Sequence, residues 1–223
     1  MTRLQQLAAI GASMLLVAAG APTPVLAQPA TTKPPIDAAG AAQAVGAEAL
    51  ALFERICIAA LARREAPLAV AAAELAGATR VPAERLRASG PVRETAAWRV
   101  QGRHGRFSVV MLEPGTQCAI FAEGVAPETF LAQARQLMLR QDRFPGWARQ
   151  GEPQQSAAQR PFGLLTYLRT RYASTLPPAG KPGGSGVEPP TAANVVASAA
   201  NRTDGRPNTA VITSDIEAGP STR

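Results

Sequence analysis

The feature that most constrains this fold is a single pair of cysteines, Cys57 and Cys118, in a chain whose first 27 residues have the pattern of an export signal. Exported proteins fold in an oxidising compartment, where cysteines that meet in the fold become cross-linked. The two residues are 61 positions apart, so a bond between them ties together distant parts of the chain. Any fold must therefore bring both side chains into contact or protect two thiols in its interior.

The N-terminal segment combines the three parts of a signal peptide. Arg3 supplies a positive charge, residues 7–19 supply an apolar core, and Val25-Leu26-Ala27 present short side chains where signal peptidase cuts. The apolar core has 13 residues, fewer than the roughly 20 that a bilayer-spanning helix needs. No later stretch is apolar enough to span a membrane. We therefore predict cleavage before Gln28 and a bacterial protein in the periplasm or secreted; an uncleaved anchor is the alternative.

Charge narrows the class of partner. The chain has 23 basic and 16 acidic residues, and only Arg3 of these lies in the signal, so the mature part has a net charge of +6. Nearly all of the basic residues are arginines, which bind phosphate and carboxylate in a planar geometry but also accumulate in proteins of GC-rich genomes. Export argues against nucleic acid. The sequence predicts an envelope protein or an anionic envelope component as the partner.

Composition divides the chain into four parts. The signal occupies 1–27, and a stretch rich in Pro, Thr, Ala and Gly over 28–44 predicts a flexible linker. Residues 45–175 carry the periodic apolar patterns and predict one globular domain. Residues 176–223 contain paired prolines, a glycine run and no aromatic residue. Such a composition buries too little apolar surface to offset the entropy of ordering, which predicts a disordered Pro/Gly-rich tail.

Helical spacing opens the predicted domain. Apolar residues recur every three or four positions over 46–64 and place Cys57 on the buried face of a first helix. Proline in the first turn and glycine after the last predict a second helix over 67–77. A short helical turn is expected to follow at Pro82, and a later helix is expected to begin at Pro127.

Strand patterns separate these helices. Three alternating runs over 96–101, 106–113 and 117–122 are joined by glycine-containing turns, which predicts an antiparallel meander with Cys118 facing inward. Residues 143–160 are polar and predict an irregular segment, whereas 162–172 predict a final strand at an edge of the sheet. The fold class is therefore α+β, an antiparallel β-meander with N-terminal helices and one later helix packed on one face.

The cysteines have three interpretations. Periodicity assigns both Cys57 and Cys118 to the core, which favours one disulfide between the first helix and the third strand. Two free buried thiols and a single reactive cysteine are the alternatives.

The residues that usually carry catalysis are sparse. His104 is the only histidine, and it lies in a Gly-x-x-Gly turn where a polar residue is expected in any case. A catalytic triad needs a nucleophile and an acid beside the histidine, and a metal site needs clustered ligands. There is no Cys-x-x-Cys, phosphate loop or dinucleotide motif. We therefore expect no catalytic residue, no metal site and no cofactor.

Arginines are concentrated in one segment, where seven of them oppose two glutamates between positions 80 and 106. Strand alternation directs Arg99 to the face opposite Trp98. We predict that Arg99, Arg103 and Arg106 form a cationic patch that binds carboxylate or phosphate; an ordinary solvated surface is the alternative.

Three short segments carry a resemblance to known proteins. They are the helical LFERIC over 52–57, the strand WRV over 98–100 and the strand CAI over 118–120. Together they resemble a group of small exported proteobacterial proteins of unassigned function with a helix cysteine and a strand Cys-x-Ile pattern, over about residues 45–140. The resemblance implies export and a two-cysteine α+β domain. It implies no reaction and no catalytic residue.

Two functions stay open at this point. The leading hypothesis is a non-enzymatic envelope domain, stapled by one disulfide, that binds or supports another component. The alternative is a small periplasmic enzyme or enzyme inhibitor that uses a cleft on the sheet. A concave pocket near His104, Ser108 or Cys118 favours the enzyme, whereas a flat surface with an exposed cationic or apolar patch favours binding.

Overall fold

The computed structural model describes residues 37–86, 88–89, 92–112, 116–175 and 191–217. All of them belong to the unit Ile36–Arg223, one of two into which the chain divides. The other unit, Met1–Pro35, lies outside the described residues. The predicted signal peptide over 1–27 and residues 28–36 of the predicted linker therefore lie outside them too.

Helices form both the beginning and the middle of the described chain. The α-helices are α1 (Ala38–Phe53), α2 (Ala59–Arg63), α3 (Pro67–Glu74) and α4 (Pro127–Leu139). A π-helical turn over Glu54–Ile58 joins α1 to α2 in one continuous helical segment. Single 3-10 turns lie at Ala83–Arg85 and Gln141–Arg143. None of the helices in the described part of the chain has the length and apolarity that a bilayer crossing requires.

The predicted linker is wrong over 38–44, because α1 begins at Ala38. Asp37 caps this helix, since its carboxylate accepts the N–H of Ala39 at 3.1 Å. The segment is rich in alanine, the residue with the highest helix propensity. Its composition resembles that of a linker only when alanine is counted together with glycine and proline.

The strands of the described residues are β1 (Thr79–Arg80), β2 (Ala88–Ser89), β3 (Val92–Gln101), β4 (Arg106–Leu112), β5 (Gln117–Glu123), β6 (Trp147–Arg160), β7 (Gly163–Ser174), β8 (Ala192–Arg202) and β9 (Thr209–Glu217). They form one antiparallel sheet in the order β1-β3-β4-β5-β9-β8-β7-β6, and β2 also pairs with β3. The predicted α+β class, with a strand meander and helices on one face, is confirmed.

The predicted disordered tail is wrong for its described part, because β8 and β9 lie in the middle of the sheet. The folded domain therefore extends to 217 and does not end at 175. Small side chains alternate along β8, and those that face the helices are fully or almost fully buried: Ala193, Val195, Ala197 and Ala199. The amino-acid composition of a segment does not show that every second small side chain in it is buried. Residues 176–190 and 218–223 lie outside the described residues.

The loop between β8 and β9 is held by polar contacts. The backbone N–H of Arg202 donates to the side-chain oxygen of Asn208 at 2.8 Å, and the Arg202 guanidinium donates to both carboxylate oxygens of Asp204. This hydrogen bond lowers the pKa of Asp204 to about 2. A defined turn therefore joins two strands that composition had assigned to a disordered tail.

The predicted irregular segment over 143–160 is also wrong, since β6 spans 14 residues within it. Beyond its buried Trp147 and Pro153, most of this edge strand is exposed, so it needs no apolar alternation and its sequence lacks the usual pattern. The predicted final strand over 162–172 corresponds to β7, but β7 lies between β6 and β8 and not at an edge.

The sheet has two unlike faces. One face is covered by helices, with α1 packed on β5 and α4 on β8, and holds the main core around Phe53, Ile120 and Trp147. On the other face, a small cluster of Ala97, Val110 and Ala119 is packed against Val81 and Leu86, and no α-helical residue belongs to it. We call this second face the helix-free face.

Candidate functional site

The two cysteines form a disulfide. The Cα atoms of Cys57 and Cys118 lie 5.6 Å apart, and neither side chain is exposed to solvent. Cys57 belongs to the π-helical turn, in which Ile56, Cys57 and Ile58 are all buried. The predicted pairing is confirmed, and both alternatives are wrong: the bond uses both cysteines, so neither is a free thiol or a reactive nucleophile. The disulfide is part of the core.

The turn between β3 and β4 holds a carboxylate of its own chain. Glu48 of α1 accepts the backbone N–H of Arg103 at 2.7 Å and that of His104 at 2.9 Å. A Cβ atom at Gly102 would clash with the Glu48 carboxylate, so this position requires glycine. The backbone N–H groups of Arg103 and His104 are therefore already used, and the exposed side chains of these two residues lie at the surface of the turn.

We expect Glu48→Gln to lower the free energy of unfolding by about 1–3 kcal/mol, because a charge-assisted pair of hydrogen bonds becomes a single neutral one. Urea unfolding of the two proteins measures this difference. Glu65→Gln is the matched control, since Glu65 is exposed and its change should stay within about 0.5 kcal/mol. Equal losses in the two variants would contradict the assigned role of Glu48.

A groove crosses β3, β4 and β5 on the helix-free face. Strand register places Arg99 opposite Ser108, and Ser108 opposite Phe121. The groove has a volume of about 440 Å³, and its lining includes Arg99, Arg106, Ser108, Phe121 and Glu123. A second depression shares four of these residues and continues toward Arg85 and Val110. The result is one continuous surface with arginines along it.

The arginines of the groove are available for a ligand. Arg99 and Arg106 are exposed, and neither forms an ion pair or side-chain hydrogen bond with another residue in the described ranges. Phe121 is 39% exposed and presents part of its ring to the groove. Glu123 adds one negative charge to the lining. The groove thus combines an apolar wall with guanidinium groups that have no partner in the described part of the chain.

Two of the three predicted anion-binding residues meet in this groove. Arg99 on β3 and Arg106 on β4 both line it, although the register pairs Arg99 with Ser108 and Arg106 with Gln101. Arg103 lies in the turn and is not among the lining residues. Phe121 and Glu123 were not predicted. Both are out of phase with Cys118 on β5, so alternation alone assigns them to the helix-free face; their proximity to Arg99 depends on strand register.

Groups suited to catalysis do not converge in the groove. Ser108 contributes to its lining, but His104 does not, and Cys118 is bonded on the opposite face. Within the described ranges, His, Cys, Asp and Glu side chains form no group of three or more that could hold a metal ion. No protein-family model, curated protein or solved structure matches this chain. The geometry of the groove is therefore the feature that indicates a function.

Proposed function

We propose that this protein is an exported, non-enzymatic binding domain of the bacterial cell envelope, and that its groove binds an anionic envelope component. The observation that carries this proposal is the position of Arg99 and Arg106, two exposed guanidinium groups without partners among the described residues, in one open groove. A guanidinium group offers five N–H donors in a plane that matches the oxygens of phosphate or carboxylate. The ligand is thus defined by its charge.

The sheet supports this chemistry because it holds the two arginines in place. Arg99 lies on β3, which is paired on both sides, and Arg106 begins β4 opposite Gln101. Side chains on strands are positioned more firmly than those on loops, which reduces the entropy lost on binding. The exposed Phe121 ring provides an apolar surface beside the charges. A phosphate-bearing lipid or glycan with an apolar or sugar portion fits this combination.

The buried disulfide supports export. Disulfides persist in the periplasm and outside the cell, and they are rare in the cytosol. The Cys57–Cys118 bond is compatible with the predicted signal peptide and with a protein in the periplasm or secreted.

A periplasmic enzyme or enzyme inhibitor that uses the groove is the second candidate. The presence of Ser108 in the lining favours it. A serine nucleophile needs an adjacent general base, and no histidine or lysine lines the groove. Binding is therefore the function that the groove supports better.

The test is binding of the mature protein to vesicles. At low salt we expect retention on phosphatidylglycerol vesicles and little retention on phosphatidylcholine vesicles, with binding lost as salt screens the charges. The double variant Arg99→Gln/Arg106→Gln should bind about 30-fold more weakly, since each arginine near an anionic surface contributes about 1 kcal/mol.

Arg63→Gln is the matched control for Arg99→Gln alone, which should bind about 5-fold more weakly. Arg63 is exposed at the end of α2 and is not part of the groove lining. It removes one positive charge without changing the groove. Equal retention on neutral and anionic vesicles would contradict the proposal. So would a double variant that binds as tightly as the native protein.

A further inference from the structure

The two edges of the sheet differ in their strand pairing. At one edge, β1 and β2 pair with β3, so Thr79 lies opposite Arg99 and Ala88 opposite Arg93. At the other edge, β6 pairs only with β7 among the described residues. An unpaired edge presents a row of backbone N–H and C=O groups, which is a template for another strand.

A bulge divides β6 into two parts. The pairing with β7 shifts between Gln150 and Gln154, where Gly151 has a φ of 79°. Beyond the bulge, residues 154–160 pair without interruption, and all of them except the half-buried Ala158 are exposed. The backbone of this second part is therefore regular, extended and accessible over seven residues.

The usual protection of an edge strand is missing over 154–160. Natural edge strands carry prolines, bulges or charged side chains that prevent pairing with another chain. This segment, QQSAAQR, has no proline and no acidic residue, and its single charge is Arg160 at the end. The proline and the bulge of β6 both precede it. Small and amide side chains remain along the accessible part.

We propose that residues 154–160 of two copies of this chain pair antiparallel and form a symmetric dimer with one continuous sheet. When two copies are centred on Ala157, Gln155 lies opposite Gln159 of the second copy, and Arg160 lies opposite Gln154. The two Arg160 side chains are then roughly 20 Å apart, at about 3.4 Å per residue. No like charges face each other, and the amide groups can bond across the pair.

A second copy is the occupant because the segment is its own complement. Isologous contacts of this kind are the commonest way in which identical chains associate. Seven residue pairs form a small interface, at the low end of the range for protein complexes. We therefore expect a weak dimer whose population depends on concentration.

The dimer has a consequence for binding, which rests on the function proposed above. Antiparallel pairing places a two-fold axis perpendicular to the sheet, so both helix-free faces lie on the same side. The dimer would then carry two grooves. A flexible polyanion long enough to reach both would be bound at two points, which raises the apparent affinity without a new contact.

Sedimentation of the mature protein without ligand tests the dimer. We expect a monomer–dimer equilibrium in the native protein and a dissociation constant at least about 10-fold higher in Ala157→Lys, which places two charges opposite each other. Ala157 is exposed, so the variant should unfold at the native temperature. Ala73→Lys, at an exposed position of α3, is the matched control and should dimerise like the native protein.

Cross-linking provides a second readout. Ala157→Cys should form a covalent dimer under mild oxidation, whereas Ala73→Cys should not. A native protein that stays monomeric up to about millimolar concentration would overturn the dimer, as would an Ala157→Lys variant that associates as strongly as the native protein. Neither result bears on vesicle binding by the monomer, so the two proposals fail separately.

Discussion

Replacement of both Cys57 and Cys118 by alanine is expected to lower the free energy of unfolding by about 4 kcal/mol. The bond closes a loop with a sequence separation of 61, and such a loop restricts the unfolded chain. Without the bond, the unfolded chain samples more conformations than the cross-linked chain does, which lowers the free energy of the unfolded state relative to the folded state. A loss of this size is a large part of the total stability of a domain, which is typically about 5–15 kcal/mol.

Urea unfolding of the double variant and of the native protein gives this difference in free energy. Each protein is measured at two protein concentrations, so that any effect of self-association is seen. The native protein should show no free thiol when it is denatured without a reductant, because both cysteines are bonded. Native protein kept reduced by an excess of reductant should unfold at nearly the same urea concentration as the double variant. A double variant as stable as the oxidised native protein would mean that the bond does not stabilise the fold.

Replacement of Trp147 by alanine is expected to lower the free energy of unfolding by about 3–5 kcal/mol. Trp147 begins β6 and is only 1% exposed. Its indole N–H donates to the carbonyl of Leu61 in α2 at 3.0 Å. The guanidinium group of Arg64 lies 4.9 Å from the centre of its ring. Alanine would leave a cavity and remove the link between α2 and the sheet.

Arg64 extends this link to the neighbouring strand. Its guanidinium donates to the side-chain oxygen of Ser174 at 2.8 Å and to the carbonyl of Gly146 at 3.2 Å. Its backbone has a φ of 56°, a left-handed conformation that is uncommon for a residue other than glycine. The end of the first helical segment is thus attached to β6 and β7 by two side chains.

Two further variants separate the contributions of Trp147. Trp147→Phe retains an aromatic ring but removes the indole donor, and the Leu61 carbonyl keeps only the backbone N–H of Arg64 at 3.3 Å. The lost hydrogen bond and the smaller ring are expected to cost about 1–3 kcal/mol. A double-mutant cycle with Arg64→Met should give a coupling energy of about 0.5–2 kcal/mol. Thermal and urea unfolding measure these values. A loss below about 1 kcal/mol for Trp147→Ala would show that the link is dispensable.

The meander and its cysteines could be predicted from local patterns. Alternation along β4 and β5 assigns Phe107, Val109 and Cys118 to one face, and all three are buried against the helices. Pro127 begins α4 as its position suggested. These features depend on the spacing of apolar side chains along the chain, which can be read from the local sequence alone.

The predictions were wrong where a strand consists of small buried residues, as in β8, or of exposed polar residues, as in β6. Ala193 and Ala197 are fully buried beneath α4, although alanine-rich segments near prolines resemble a tail. The exposed residues of β6 form a strand because β7 provides their hydrogen-bond partners. Local sequence does not reveal such a partner.

What the sequence determined by itself was the direction of each side chain within its own strand or helix. It placed Arg99 opposite the core and turned both cysteines toward it. Only the tertiary structure decided which strands become neighbours, and hence that Arg106 joins Arg99 in a groove while Arg103 remains in a turn whose backbone Glu48 holds from 55 residues away. Side-chain direction follows from backbone period, a local property, whereas strand order and register depend on contacts between residues far apart in the chain.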